Sequence, residues 1–138
     1  QMASLPMPAS PKTRSFKTKE IHSETGGIML TDLGYPEIGS IVRQHVILDS
    51  YEADTPITEE EIVNYSDKRI LHDRIVSLAR RMEYIQNRYC IKKRFADLFE
   101  IMKTNTLGLE KKLFKPLDLE PDELSSSMTL EIKKEDWT

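Results

Sequence analysis

The chain has 138 residues, of which 38% are apolar and 31% charged, with 5 Gly and 7 Pro. That length supports one domain with a hydrophobic core, and that balance suits a helical protein with a charged exterior. A net charge of −3, with a pI near 5.7, argues against non-specific nucleic-acid binding.

The single cysteine, Cys90, excludes an internal disulfide and fits a reducing compartment; with no base near it in sequence it reads as an inert helix-end thiol. No apolar run approaches the roughly 20 residues of a membrane-spanning helix, and "QMASLPMPASP" lacks the apolar block of a signal peptide. The expectation is a soluble, cytoplasmic protein.

Residues 1–17 read as an irregular N-terminal arm or a segment of cloning origin, with three prolines up to Pro11 and then the basic stretch "KTRSFKTK". A helix is predicted from about Lys19 to Leu33, with Ile21, Ile28 and Met29 on one stripe and Gly34 as its left-handed stop. Gly26 and Gly27 inside it each cost about 1 kcal/mol relative to Ala, so a pair of them suggests that another element closely approaches the backbone there.

Pro36 opens a second helix in which Ile38, Ile41, Val42, His45 and Val46 follow helical spacing. A polar loop, "DSYEADTPI", leads to Thr58 and Glu61, a capping box that starts a third helix at Glu59; this helix is expected to run past Ser66, with a break near Asp73. From Ile75 the set Ile75, Leu78, Met82, Ile85, Tyr89 steps 3-4-3-4, a seam for another helix. A short helix carries Phe95, Leu98, Phe99 and Met102, and residues 107–117 form a last amphipathic turn or helix stopped by Pro116. No strand pairing is evident, so the expected class is all-α, with a helical domain over 18–117 and an acidic tail over 118–138 that is mobile or loosely docked. Trp137 reads as a docking residue rather than part of a site.

Three residues are placed as if buried. His45 follows Ile41 and Val42 by about one turn, as a core histidine or a ligand would. Asp67 has Val63 at −4, Ile70 at +3 and Leu71 at +4. A carboxylate buried on such a face needs a partner: a metal, or an arginine such as Arg43, Arg69 or Arg74. His22 is a weaker case. Together, two His and one Asp from three helices make a plausible first shell for a divalent ion, with open positions for water or phosphate. The literal His72-Asp73 pair is better read as structural, with Asp73 able to pair with Arg69 at i−4.

At this point "IHSETGGIMLTDLGYPEIGSIVRQHV" and "ITEEEIVNYSDKRILHDRIVSLARRMEYI" resemble the HD-domain phosphohydrolases of the HDIG-type bacterial branch, from roughly Lys12 to Tyr89. The resemblance implies an HD-like helical bundle that binds divalent metal (Mn, Fe, Mg or Zn) and hydrolyses a phosphoester, with a phosphorylated small molecule or nucleotide as partner. By position, His22 and His45 match the family's two extra histidines and Asp67 its late metal-binding acid; Lys68 and Arg69 would add positive charge beside a bound phosphate. The family's early His and His-Asp dyad have no counterpart in this chain, and its first helices are missing. Catalytic residues therefore go unassigned, and the uncovered helical surface is expected to associate, as a homo-oligomer or with another chain. An inactive helical interaction module is the alternative. No membrane and no sequence-specific nucleic acid is expected as a partner.

Overall fold

The computed structural model describes residues 11–89 and 93–124, with residues 11–21 described by their backbone alone. Cys90 and Trp137 lie outside the described residues, as does the tail beyond 124. The chain is mostly helical, with α1 (Pro11–Asp32), α2 (Pro36–Arg43), α3 (Glu59–Asp67), α4 (Leu78–Tyr89) and α5 (Lys93–Phe114). A short antiparallel hairpin, β1 (Ile70–Leu71) and β2 (Arg74–Ile75), separates α3 from α4.

The described part of α1 already includes Pro11–Lys19, so the basic stretch is helical. Gly34, at φ +99°, ends the segment in the left-handed region open to glycine. α1 then folds back on α2 through paired glycines. A Cβ at Gly27 would lie 2.8 Å from the Gly39 carbonyl oxygen and 2.8 Å from Arg43 Cβ, and one at Gly39 would lie 2.7 Å from the Gly27 oxygen. The two helices meet backbone to backbone there, which explains the Gly26-Gly27 pair.

α2 ends at Arg43, before the predicted stripe reaches His45 and Val46. The polar loop that follows is fixed at both ends. Arg43 donates to both Asp49 carboxylate oxygens at 2.7 and 2.5 Å, and these bonds lower the Asp49 pKa. Lys112 of α5 donates to Glu52 O, Thr55 Oγ1 and Glu61 Oε2, at 2.8, 2.9 and 2.7 Å. Glu61 also closes the capping box that opens α3: Oε1 accepts from Thr58 N at 2.9 Å, and Thr58 Oγ1 accepts from Glu61 N at 3.2 Å.

The core forms where the α4 seam meets α5. Leu78, Met82, Ile85 and Tyr89 pack with Phe99, and Met102 lies against them. The seam is thus covered within the chain. α5 is one continuous helix where two short ones were expected, with Gly108 in its interior under Tyr51. A second junction joins α3 to α5: Tyr65 OH donates to Glu110 at 2.6 Å and accepts from Arg69 Nη1 at 2.8 Å, with Phe114 edge-on to the Tyr65 ring. Burial and the bond to Glu110 raise the Tyr65 pKa well above the usual tyrosine range. After Phe114 the chain continues to a short 3-10 turn at Pro121–Glu123, where Pro121 O accepts from Arg69 Nη2 at 3.0 Å. This part of the predicted acidic tail is docked. No helix among the described residues is long and apolar enough to cross a membrane.

Candidate functional site: one cavity lined by His22, His45, Asp67 and Lys68

α3 stops at Asp67, and that stop decides the chemistry around it. Ile70 and Leu71, expected one turn along the same helical face, instead belong to β1. Ile70 is 40% exposed and Val63 39%, so Asp67 does not sit on a buried aliphatic stripe. Its partner is not an arginine either: Asp67 Oδ2 lies 3.3 Å from Lys68 Nζ. His72 and Asp73 form the hairpin turn between Leu71 and Arg74, with His72 at φ +57° and its ring edge-on to Tyr84. Arg69 pairs with Glu110 and turns its donors to Tyr65, Val76 and Pro121; Asp73 is not among its partners.

Lys68 is nearly fully buried, at 2% exposure. Its ammonium lies within hydrogen-bond distance of His45 O at 3.3 Å, Val46 O at 3.0 Å and Asp67 Oδ2. Asn64 Nδ2 adds a bond to Gln44 O at 2.9 Å. These contacts tie the segment after α2 to the end of α3, and so bring His45 and Asp67 to one place.

The result is a cavity of about 240 Å³. Its polar lining is His22 from α1, His45 from beyond α2, Asp67 and Lys68 from the end of α3, and Arg81 from α4. Val46, Ile85, Tyr89 and Met102 supply an apolar wall. The structure therefore brings His22, His45, Asp67 and Lys68 to one cavity and leaves Arg69 out of it. His22 is exposed, at the rim; His45 and Asp67 are half-buried.

His45 Nδ1 lies 2.6 Å from the Val42 carbonyl oxygen. A carbonyl can only accept, so Nδ1 carries a hydrogen in this contact.

A divalent metal held jointly by His22, His45 and Asp67 does not fit this arrangement. Among the described residues, no three His, Cys, Asp or Glu side chains come close enough together to hold an ion. The Lys68 ammonium also already balances the Asp67 carboxylate at short range. What the cavity offers instead is positive charge: Lys68 and Arg81 against Asp67, next to an apolar wall.

Arg81, Ile85 and Tyr89 were not singled out as site residues, although a signal for them exists. They stand four residues apart on α4, one above another on a single face, and two of them belong to the predicted seam. No family model, no curated protein and no solved structure matches this chain.

Proposed function

We propose that this chain is, in whole or in part, a cytoplasmic HD-type phosphohydrolase whose described residues carry the late, phosphoester-binding half of the site. One observation carries the reading: His22, His45, Asp67 and Lys68, predicted from separate stretches of sequence, line a single cavity. Net positive fixed charge from Lys68 and Arg81 against Asp67 suits an anionic ligand, and the cavity's size, at the small end of ligand pockets, suits a small phosphoester.

The test is to incubate the purified chain with manganese, quantify retained metal, and measure p-nitrophenyl phosphate hydrolysis and inorganic phosphate binding in parallel. The reading predicts saturable phosphate binding, metal well below one ion per chain, and no turnover above buffer. One ion per chain, lost in Asp67→Ala, would replace this reading with a fully metal-dependent phosphohydrolase. Failure to bind phosphate would remove the phosphoester reading altogether.

A second reading, an interaction module, is favoured by a different observation. Ile28, Met29, Leu33, Tyr35 and Ile38 are all more than half exposed around the α1–α2 corner, and apolar residues gathered this way often mark an interface. Light scattering across a concentration series addresses it directly: a chain that stays strictly monomeric at high concentration counts against self-association.

A further inference from the structure

The cavity has two lining cations, and they are not equivalent. An ammonium has three N–H donors, and three oxygens already surround Lys68 Nζ, two of them backbone carbonyls of His45 and Val46. Lys68 holds the site together. Arg69, the other cation expected beside a phosphate, is buried away from the cavity with its donors on Tyr65, Val76 and Pro121.

Arg81 differs from both. Its Nε donates to Ile70 O at 2.7 Å, which fixes the side chain against the hairpin. Its Nη1 is buried and has no hydrogen-bond partner among the described residues. A buried guanidinium N–H left unmade is costly, and this one belongs to a residue that lines the cavity. Ile85 and Tyr89 follow Arg81 at intervals of four on α4 and continue the same wall, with Val46 and Met102 beside them.

We propose that Arg81 is the phosphate-binding residue of this cavity, and that the ligand is a phosphomonoester carrying a small apolar or aromatic group. The phosphoryl oxygens accept from Arg81 Nη1, and the organic group lies along Val46, Ile85, Tyr89 and Met102. This rests on the reading of the cavity as a phosphoester site and specifies which cation serves it and what kind of ester fits.

The experiment is calorimetric titration of the full chain with phenyl phosphate and with inorganic phosphate. Wild type is expected to bind phenyl phosphate about tenfold or more tightly than inorganic phosphate, because the ring leaves water for the apolar wall. Arg81→Gln is expected to weaken both by about 10- to 100-fold, the loss of a charged hydrogen bond. Arg81→Lys should recover part of that loss, and Arg80→Gln, an exposed cation of the same helix, should change neither. Circular dichroism of each variant checks that it is folded.

A measurement on the unaltered chain covers the case in which Arg81 variants do not fold: the Arg81 Nε–Hε NMR signal should move as phenyl phosphate is added. A folded Arg81→Gln that binds like wild type, or an Arg81 signal that stays still while phenyl phosphate binds, overturns the assignment and leaves the phosphoester reading standing. Equal affinity for the two probes overturns the apolar-ester part. If neither probe binds wild type, the phosphoester reading itself falls, and the assignment with it.

Discussion

Lys112→Met perturbs the most completely buried charge pair in the molecule's described part. Lys112 and Glu61 are 9% and 5% exposed, and their closest approach is 2.7 Å. The substitution keeps most of the side chain's length and removes the ammonium. It leaves the Glu61 carboxylate buried without a counter-ion, and takes the donor from Glu52 O and Thr55 Oγ1.

Removing one partner of a buried pair costs about 3–5 kcal/mol, a large part of the roughly 5–15 kcal/mol that holds a domain folded. For a chain of this size that corresponds to a melting temperature lower by about 10–20 °C. The second variant separates charge from packing. Adding Glu61→Leu removes the stranded carboxylate, and buried ion pairs replaced by apolar residues are often close to neutral. The double variant still loses one arm of the α3 capping box, worth about 1 kcal/mol. It should therefore be more stable than Lys112→Met alone. Urea denaturation followed by circular dichroism measures wild type, Lys112→Met, Glu61→Leu and the double variant. The reasoning is refuted if Lys112→Met costs less than about 1 kcal/mol, or if Glu61→Leu adds its full separate cost on top of it.

Gly27→Ala should destabilise the chain by about 1–3 kcal/mol through overpacking, despite Ala's helix preference, because the new methyl would stand 2.8 Å from the Gly39 carbonyl; thermal melting checks this, and a more stable variant would contradict the close α1–α2 contact. His72→Ala should leave phosphate affinity unchanged, as read by calorimetry, because His72 is a turn residue that does not line the cavity. Asp67→Asn should tighten phosphate binding, by up to about tenfold, by removing a like charge from the cavity; a metal-ligand role predicts the opposite. Arg43's hydrogen bonds lower the Asp49 pKa, so the pair contributes stability above the ordinary aspartate value of about 3.9 and loses it as pH falls through the lower folded value. With side chains 32% and 56% exposed, that contribution is below about 1 kcal/mol, and Asp49→Asn should flatten the corresponding acid limb of a stability–pH curve.

The parts of the fold that were legible in the sequence are those set by local chemistry. Thr58 and Glu61 announce the start of α3 through a cap that uses only neighbouring atoms. Gly34 and Pro36 mark the α1–α2 turn by their backbone preferences. The spacing of Leu78, Met82, Ile85 and Tyr89 carries the core face of α4. What was missed depends on distant partners. The β1–β2 hairpin has strands of two residues each, too short for alternation, and no Asn-Gly or Asp-Gly turn to mark it. α5 reads as two short segments, whereas it is one helix with the Tyr51 ring packed over Gly108 in its interior. Lys68, Arg69 and Lys112 are each buried by oxygens from residues far along the chain, which no local spacing announces. For the site, the family resemblance picked out His22, His45, Asp67, Lys68 and Arg69, of which Arg69 lies outside the cavity. Arg81 has nothing in its own neighbourhood to set it apart from Arg80; only its place one turn before Ile85 and two before Tyr89 does so.

Whether the cavity among α1, the ends of α2 and α3, and the face of α4 takes a phosphoester is read out by backbone amide NMR of the chain titrated with phenyl phosphate. Saturable shifts should appear together near His22, His45–Val46, Asp67–Lys68 and Arg81–Ile85. Shifts confined to a single one of these segments, or none at saturating ligand, would contradict it.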